Sequence, residues 1–281
     1  MSEHAKMRKI TALAPWYGSN RLNAERVGTL LAGCEWVGIP CCGGMCEIPH
    51  IRARTILAND LHHGIINLAN EVRRDCAALQ QSLRSQLFHP DTLAAAQARY
   101  FSESYQADTN SVDFSRAMDY FVIAWMTRSG TAGTPAEKSG ALALRWDAGG
   151  GDSATRYHSA INSLPNWCRE FGRCTFSRLD VFEFLDKCKD RPNHGLYLDP
   201  PFFGPGTKYA FHGGKSQQDQ KTWHIRLAER LQQFKDARIV VRAYDHEFVK
   251  THYPKEVWTW HEFTGRKQTN RDAPEVLLVR N

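Results

Sequence analysis

Short apolar runs of strand type alternate along the chain with longer segments whose apolar residues recur at helical spacing. The strand-type runs, each bounded by glycine or polar residues, lie at 36–39, 54–58, 195–198 and 239–244. A helix fits residues 64–83, and the short run Thr175-Phe176 leads through Asp180 into another helical segment. Strands that alternate with helices in this way predict an α/β fold built on a doubly wound, mostly parallel sheet.

Two further features refine the predicted sheet. Gly43-Gly44 lies between the first two predicted strands, and Asp60 follows the second of them. The order of strand, glycine loop, strand and acid is typical of the nucleotide-binding half of a doubly wound sheet. Residues 257–263 and 275–279 are long enough to pair, which predicts a terminal antiparallel hairpin.

The segment between residues 84 and 170 is mainly of helical type. We expect Asp91 to cap one helix there and Asp113 to cap another. In the second of these helices the apolar residues recur three and four positions apart, as expected of a core-facing surface. They are Phe114, Ala117, Met118, Phe121, Val122 and Trp125.

The second of these helices ends in the segment Thr127-Arg128-Ser129-Gly130, and residues 129–155 are rich in Gly, Ser, Thr and Ala, which predicts a long loop or hairpin. The simplest organisation is therefore one sheet domain, formed by residues 1–70 and 171–281. A mainly helical insertion, residues 71–170, interrupts it once.

Composition is that of an ordinary globular protein, with 281 residues, 42% hydrophobic and 23% charged. No stretch approaches 18 uncharged apolar residues, so no membrane span is expected. The first ten residues are charged and lack an apolar segment, so a secretory signal is not expected either. Eight cysteines in such a chain predict reduced thiols and a cytoplasmic location.

The positive charge is unevenly distributed, although the net charge is only +6. Residues 71–170 carry 10 Lys and Arg against 11 Asp and Glu, whereas residues 171–281 carry 19 against 14. This excess permits a polyanionic partner without requiring one. If the middle segment reads DNA, it does so with individually placed groups, and the third segment supplies most of the attraction to phosphate.

The segment that most clearly indicates a catalytic motif is 197–202, which reads Tyr-Leu-Asp-Pro-Pro-Phe. An exocyclic amine on a nucleobase is a poor nucleophile because its lone pair is delocalised into the ring. The Asp199 carboxylate and the Pro200 carbonyl can both accept hydrogen bonds from such an amine, and Phe202 offers a ring for an extruded base to stack on. The same residues also fit an ordinary exit from a strand into a loop, because Pro-Pro is a common breaker.

Taken in order, these motifs resemble the Dam-like class of DNA adenine-N6 methyltransferases. The resemblance implies a Rossmann-like methyltransferase fold, S-adenosyl-L-methionine as cofactor, double-stranded DNA as partner, and residues 71–170 as the target-recognition domain. The implied catalytic residues are Asp199, Pro200, Pro201 and Phe202. The implied cofactor-binding residues are Trp16, Tyr17, Gly18, Pro40, Cys41, Gly43, Gly44, Asp60, Asp180 and Asp199. The implied DNA-binding residues are Arg128, Ser129, Lys208 and Tyr209, and no metal is implied.

Five positions depart from the pattern of that class, and two of them are Cys41 and Met45 in the cofactor loop, where it usually has Phe and a small residue. Asn20 stands where the class usually has Lys, and Phe202 stands where it usually has Tyr, a change that should cost little because stacking uses the ring face. Ile39 stands where the cofactor loop usually has an acid. Glu47 and Glu35 are the candidates to replace that carboxylate.

Several clusters have a simpler interpretation than a functional one. Cys34, Cys41, Cys42 and Cys46 lie close together without a C-x-x-C pair, which favours small core or loop residues over a zinc site. The pair His62-His63 favours a solvated helix start over a metal ligand. Arg128 can read a base, touch phosphate, or bind the last carbonyls of its own helix.

The sequence thus predicts a cytoplasmic, S-adenosylmethionine-dependent methyltransferase that acts on the N6 amine of a flipped-out adenine. We expect a monomer or weak dimer. Two alternatives stay open: methylation of the N4 amine of cytosine, and a DNA-binding protein that has the fold but little turnover because of Ile39 and Asn20.

Overall fold

The computed structural model describes residues 12–109, 111–128, 131–144, 152–203, 209, 216–266 and 272–280. These residues fall into two compact units. The helical unit comprises 12–19, 43–46 and the described part of 62–172. The sheet unit comprises 20–42, 47–61 and the described part of 173–281.

The secondary structure of the described residues follows the predicted alternation. The strands are β1 Trp36–Ile39, β2 Thr55–Asn59, β3 Cys174–Ser177, β4 His194–Leu198, β5 Arg238–Tyr244, β6 Thr259–Arg266 and β7 Asp272–Arg280. The helices are α1 Ala24–Leu30, α2 His63–Arg84, α3 Pro90–Tyr100, α4 Glu103–Ala107, α5 Phe114–Met126, α6 Ser153–Phe171, α7 Val181–Lys187, α8 Gln217–Gln232 and α9 Glu247–His252.

All seven strands join one sheet in the order β3-β2-β1-β4-β5-β7-β6. The first five positions in that order are parallel, and β7 runs antiparallel between β5 and β6. A mostly parallel doubly wound sheet with a terminal antiparallel hairpin is therefore confirmed. The chain leaves β1 toward β2 on one side and returns to β4 on the other, so the strand order reverses at β1 and β4. Ligands of such sheets bind beyond the carboxyl ends of the strands at this reversal.

Both faces of the central strands are buried, as expected for a parallel sheet covered on each side. On one face β4 and β5 contribute Leu196, Leu198, Ile239 and Val241 to a core that also contains Trp258 of the hairpin region. The other face of the same strands carries residues such as Tyr197 and Val240, which are also fully buried. This rigid, apolar sheet holds the polar residues that follow its strand ends.

The helical unit is built around α5, whose predicted apolar stripe is largely buried. Ala117, Phe121 and Val122 are at most 2% exposed. Helices α2 and α6 are joined by the Gln80 side-chain amide, which donates to the Ile161 carbonyl at 2.8 Å. The middle of the chain is thus mainly helical, as the sequence indicated.

The helix starts show one correct and one wrong prediction. Asp113 caps α5, because its Oδ1 accepts from the Arg116 N–H at 2.6 Å. Asp91, however, does not cap α3: the cap is His89, whose Nδ1 accepts from the Asp91 N–H at 3.2 Å. Pro90 occupies the first helical position, where its missing N–H does no harm, so the cap falls one residue before it.

The long loop predicted over residues 129–155 is interrupted. A short 3-10 turn occupies Pro135–Glu137, and α6 already begins at Ser153. Asp152 caps α6, since its Oδ2 accepts from the Thr155 N–H at 2.8 Å. An acid directly after the glycine run 149–151 was the available signal for this start.

Candidate active site

Asp199 directly follows β4, at the carboxyl edge of the sheet and at the reversal of strand order. Its side chain is 19% exposed, Pro200 behind it is buried, and Pro201 and Phe202 are half-buried. Because proline has no N–H to donate to a neighbouring strand, Pro200 and Pro201 end β4.

Asp199 forms an ion pair with Arg242 of β5. The Asp199 Oδ2 accepts from the Arg242 Nη1 at 2.9 Å. The strand register explains this pairing. Leu198 lies opposite Val241, so the residues that follow them, Asp199 and Arg242, lie side by side. Arg242 is only 6% exposed, and its Nε and Nη2 also donate to the Glu275 Oε2 at 2.9 and 2.7 Å. One buried guanidinium thus holds two carboxylates.

This environment changes the acidity of Asp199. Burial raises the pKa of Asp199 to about 7, while Arg242 opposes the rise and the carboxylates of Glu47 and Glu275 add to it. Burial also disfavours the charge on Arg242, but its neighbouring carboxylates outweigh that effect and raise the pKa of the guanidinium well above its usual value. Arg242 therefore stays charged, whereas the charge of Asp199 responds to its neighbours near neutral pH.

Phe202 is held by the same strand that holds Asp199. Its ring packs edge-on against Tyr244, with ring centres 4.5 Å apart. The Arg242 guanidinium carbon lies 5.0 Å from the centre of the Phe202 ring, at the distance of a cation–π contact. Because Arg242 and Tyr244 are two residues apart on β5, their side chains share one face of the strand and approach the motif together.

Residues of α8 and α9 contact Pro201 and Phe203. The His224 ring hydrogen-bonds the Pro201 carbonyl, and burial lowers the pKa of His224 to about 4 against the opposing effect of that bond. Phe203 stacks on Phe248, with centres 4.4 Å apart and planes 14° from parallel. The sequence analysis did not single out Phe203 or Phe248. The motif is thus fixed from several sides within the sheet unit.

Predicted cofactor-binding acids gather around Cys41, which follows β1. Burial raises the pKa of the Cys41 thiol well above its usual value, and the charges of Asp60, Asp199 and Asp180 raise it further. The acids come from different chain segments but follow the ends of neighbouring strands, which explains why they meet. Asp180 also caps α7, because its Oδ1 accepts a hydrogen bond from the Phe182 N–H.

Asn59, at the end of β2, connects the loops that carry these acids. Its side chain is buried, and its Nδ2 donates to the carbonyls of Pro40 and Leu179, each at 2.9 Å. Its Oδ1 accepts from the Leu179 N–H at 2.7 Å and from the Ser177 hydroxyl at 2.9 Å. The sequence analysis missed this residue. A polar amide placed between a buried strand and a predicted ligand-binding acid was the signal.

The structure separates the two candidates for the missing acid of the cofactor loop. Glu47 is 4% exposed, its Oε1 accepts from the Tyr197 hydroxyl at 3.2 Å, and its charge acts on Asp199. Asn20 donates to the same hydroxyl at 2.9 Å. Glu35 lies at the opposite end of the sheet, before β1, where it accepts from the Asn193 amide at 2.9 Å. Glu47 therefore lies near Asp199 and Glu35 does not.

The candidates within the helical unit contact one another closely. A methyl group at Gly43 would lie 2.8 Å from the Trp16 indole, and one at Gly44 would lie 2.6 Å from the Ala14 carbonyl oxygen. The Leu13 N–H donates to the Gly44 carbonyl at 2.9 Å, and the Tyr17 N–H donates to Ala132 at 3.0 Å. Gly18, the last cofactor candidate of this segment, is exposed and has a φ of 68°. The glycine loop is thus shaped for close approach of the Trp16 segment.

His62 corrects one expectation from the sequence. The pair His62-His63 was expected to be a solvated helix start, but His62 is 4% exposed. Its Nε2 lies 3.1 Å from the Glu137 Oε2, and its ring meets the edge of Trp16 at 5.3 Å between centres. Glu137 also accepts the Gly133 N–H at 2.8 Å through Oε1. This buried pair fastens the Trp16 segment to the turn that begins at Thr131.

The DNA-binding candidates are only partly described. Arg128 is exposed and follows α5. Two of the last four carbonyls of α5 are bound by other groups, because Thr127 donates to Ile123 and the Ala143 N–H donates to Met126. Tyr209 is half-buried, and Ser129 and Lys208 lie outside the described residues.

Within the described part of the chain, no group of three or more His, Cys, Asp or Glu side chains is placed to hold a metal ion. All eight cysteines are thiols rather than disulfides. No described helix combines the length and apolar character needed to cross a membrane.

Comparison with known proteins gives the family. The model of the family described as D12 class N6 adenine-specific DNA methyltransferase matches residues 43–267. A search of curated proteins found no match. The matched segment covers most of the chain and contains Asp199 with its anchoring residues. The protein therefore belongs to the D12 class of N6 adenine-specific DNA methyltransferases.

Proposed function

We propose that the protein transfers a methyl group from S-adenosylmethionine to the N6 amine of an adenine that is flipped out of double-stranded DNA. The observation that carries this proposal is the position of Asp199-Pro200-Pro201-Phe202 at the carboxyl end of β4, at the reversal of strand order. Family membership supports adenine over the N4 amine of cytosine. The identity of the methyl donor, the flipping of the base and the roles of individual residues go beyond family membership and belong to our proposal.

The charges of the sheet edge fit a cationic cofactor. Asp60, Asp180 and Asp199 all act on the thiol of Cys41, and Glu47 acts on Asp199. Glu47 is buried, Asp60 and Asp199 are half-buried and Asp180 is exposed. Carboxylates gathered at one edge repel one another, and a bound cation relieves that repulsion. S-adenosylmethionine, which carries a sulfonium and an ammonium, supplies the electrophilic methyl group when bound. Glu47 provides the carboxylate that Ile39 lacks.

The roles proposed within the motif follow from what each group can accept or stack on. In its ionised form Asp199 accepts a hydrogen bond from the adenine amine, and the Pro200 carbonyl accepts the second. Both bonds draw the nitrogen toward tetrahedral geometry and make its lone pair available. With the cofactor bound, the new N–C bond would form as the sulfur–methyl bond breaks, S-adenosylhomocysteine would leave as a neutral thioether, and the proton lost from the nitrogen would pass to water. Most of the rate gain in such a reaction comes from positioning.

Phe202 is proposed to stack on the extruded base. Flipping a base out of the duplex costs a few kcal/mol, and stacking on an aromatic ring recovers about 1–3 kcal/mol. The contacts of Phe202 with Tyr244 and Arg242 hold its ring in one orientation. Arg128, Ser129, Lys208 and Tyr209 are proposed to contact DNA, and Trp16, Tyr17, Gly18, Gly43 and Gly44 to contact the cofactor. We further propose a cytoplasmic location.

Methylation of plasmid DNA with isotopically labelled S-adenosylmethionine tests the proposal. After digestion to nucleosides, mass analysis should find the label in N6-methyladenine. Label in N4-methylcytosine would contradict the choice of base, and no labelled nucleoside would contradict turnover. Calorimetric titration with S-adenosylmethionine then separates a protein that binds cofactor without turnover from one that does not bind it.

A further inference from the structure

Arg242 is a charged residue inside β5, with the apolar residues Ile239–Val241 before it and Ala243 after it. The segment Ile239–Ala243 lies in the sheet between β4 and β7, and the Arg242 side chain is 6% exposed. A buried guanidinium is unfavourable unless its hydrogen bonds and its charge are satisfied. A buried arginine in a sheet therefore needs neighbours that supply negative charge and accept its hydrogen bonds.

The neighbours of Arg242 are parts of the proposed catalytic motif on one side and Glu275 on the other. Its Nη1 donates to Asp199, and its Nε and Nη2 donate to Glu275. Its cation also lies over the ring of Phe202. One side chain therefore contacts both the amine-accepting group and the proposed stacking ring.

Strand register makes this arrangement rigid. Tyr244 of β5 lies opposite Glu275 of β7, so Glu275 reaches Arg242 on the same face of the sheet, two residues away. Glu275 is itself 4% exposed. Because two nitrogens of the guanidinium donate to one Glu275 oxygen and a third donates to Asp199, the guanidinium plane has little freedom to turn, and the bond to Asp199 has a fixed direction.

We propose that Arg242, held by Glu275, is a positioning residue that orients Asp199 and Phe202 and favours the ionised form of Asp199. This inference rests on the proposed function, because it takes Asp199 as the acceptor of the adenine amine. Arg242 itself does not contact the reacting atoms. Its contribution should therefore appear in how turnover depends on pH, and not only in stability.

The charged groups around Asp199 predict opposite effects for two substitutions. Asp199 faces Arg242 from β5, Glu275 from β7, Glu47 from the loop after β1, and the thiol of Cys41. Arg242 lowers the pKa of Asp199, whereas Glu275 raises it. Removing the charge of Arg242 should raise that pKa above 7, and removing the charge of Glu275 should lower it. Since activity needs ionised Asp199, the acid limb of the turnover profile should move in the same directions.

The experiment measures kcat for methyl transfer to DNA against pH, at saturating cofactor, in matched variants. Arg242→Gln should reduce kcat at pH 7 at least about 10-fold and move the acid limb up by roughly one unit. Glu275→Gln should move the limb down. Arg242→Lys, which keeps the charge but loses the planar fork, should keep the limb near its original position with reduced kcat.

Arg238→Gln is the control. Arg238 lies on the same strand at its other end, where it donates to the carbonyls of Leu30 and Ala32. Its substitution should leave the pH profile unchanged. Thermal melting of every variant shows which of them are folded. If Arg242→Gln does not fold, the pH profiles of Glu275→Gln and Arg242→Lys decide whether Arg242 positions Asp199.

The outcomes separate this inference from the proposed function. An active wild-type enzyme whose acid limb stays in place in folded Arg242→Gln, or moves the same way in Arg242→Gln and Glu275→Gln, overturns the positioning role alone. A wild-type protein that transfers no methyl group to DNA overturns the proposed function, and this inference with it. Opposite shifts with an unchanged Arg238→Gln profile support the role.

Discussion

The indole of Trp16 lies directly over the Cα of Gly133, so that a methyl group at Gly133 would be 2.6 Å from the ring. Gly133 also has a φ of 83°, which other residues rarely adopt. The backbones of Trp16 and Ala132 form a bridge beside this contact. The absence of a side chain at Gly133 thus lets the Trp16 segment pack on the turn that follows Arg128.

Gly133→Ala should therefore destabilise the protein by more than backbone strain alone explains. Strain at a positive φ costs about 1–2 kcal/mol, and the clash with the indole adds to it, for a loss of roughly 2–4 kcal/mol. Chemical denaturation monitored by tryptophan fluorescence measures this loss. The indole should also change its emission in the folded state, because its packing is disturbed.

Gly33 provides the matched control. Its φ is 89°, but an added methyl group would meet nothing within 4 Å. Gly33→Ala should therefore show only the strain. Equal losses of stability for Gly33→Ala and Gly133→Ala would mean that the Trp16 contact contributes nothing.

Asn59→Ala should weaken both stability and cofactor binding. The amide forms four hydrogen bonds that connect the loops after β1, β2 and β3. Leaving buried partners unsatisfied costs about 1–3 kcal/mol each, partly relieved by relaxation, so we expect a loss of roughly 2–4 kcal/mol. Loops that carry Cys41, Asp60 and Asp180 should then be less well ordered, and S-adenosylmethionine should bind about 10-fold more weakly.

Asn70→Ala is the comparison for Asn59→Ala. The Asn70 amide is half-buried and donates to the Ile66 carbonyl within its own helix at 3.0 Å. Its removal should cost about 0.5–1.5 kcal/mol and leave cofactor affinity unchanged. Calorimetric titration and thermal melting give both quantities. If Asn59→Ala binds the cofactor as the wild type does, the amide has only a stabilising role.

The sheet could be predicted from the sequence because its strands are short apolar runs with clear polar ends. The run at 239–244 became β5, and the pair of runs near the end of the chain became the β6–β7 hairpin. Helix starts were less certain, since both His89 and Asp91 are able to accept a backbone N–H near the start of α3. Distinguishing them required attention to Pro90, whose preference for the first helical position was the deciding signal.

The partners of the candidate residues were the part that sequence reasoning missed. Asp199 was singled out by its motif, but nothing local to it points to Arg242, 43 residues away. A charged residue inside the predicted strand 239–244, Arg242, was an available sign that a buried partner of opposite charge exists. His62 was misjudged for the same reason, because its partner Glu137 lies in a segment that was predicted only as a loop.

Arg128→Ala should alter which DNA sites are methylated. Arg128 is exposed, and other groups bind the Ile123 and Met126 carbonyls at the end of its helix. If it reads a base, its loss should cost about 1–3 kcal/mol of discrimination and relax the target at one position. If it binds phosphate, methylation should fall evenly at all sites and depend less on salt. Sequencing of modified bases over a plasmid separates the two.

Lys138→Ala serves as the control for Arg128→Ala, because Lys138 is another exposed cation of the same turn region. It should keep the methylation profile of the wild type. A wild-type profile and rate in Arg128→Ala as well would remove this residue from the account of DNA recognition.

Cofactor affinity should increase as pH rises through about 7. The pKa of Asp199 is raised to about 7 by burial, so this carboxyl is largely protonated below that pH. A bound cation favours the ionised form, and binding should therefore release protons between about pH 6 and 8 and become tighter across that range. Titration calorimetry in two buffers of different ionisation enthalpy counts the protons. Asp199→Asn should abolish the release, and an unchanged release in that variant would assign the proton to another group.

The most direct test of the central claim is the single-turnover rate of adenine methylation by Asp199→Asn at saturating S-adenosylmethionine. Asparagine keeps the size of the side chain and removes the charge that accepts from the amine. Asp186→Asn, at the exposed ion pair with Arg230, is the matched control and should methylate at the wild-type rate. We predict that Asp199→Asn is slower by at least about 100-fold, the effect of losing one preorganised contact to the transition state. A rate above one tenth of the wild type would contradict the assignment of Asp199 as the acceptor of the adenine amine.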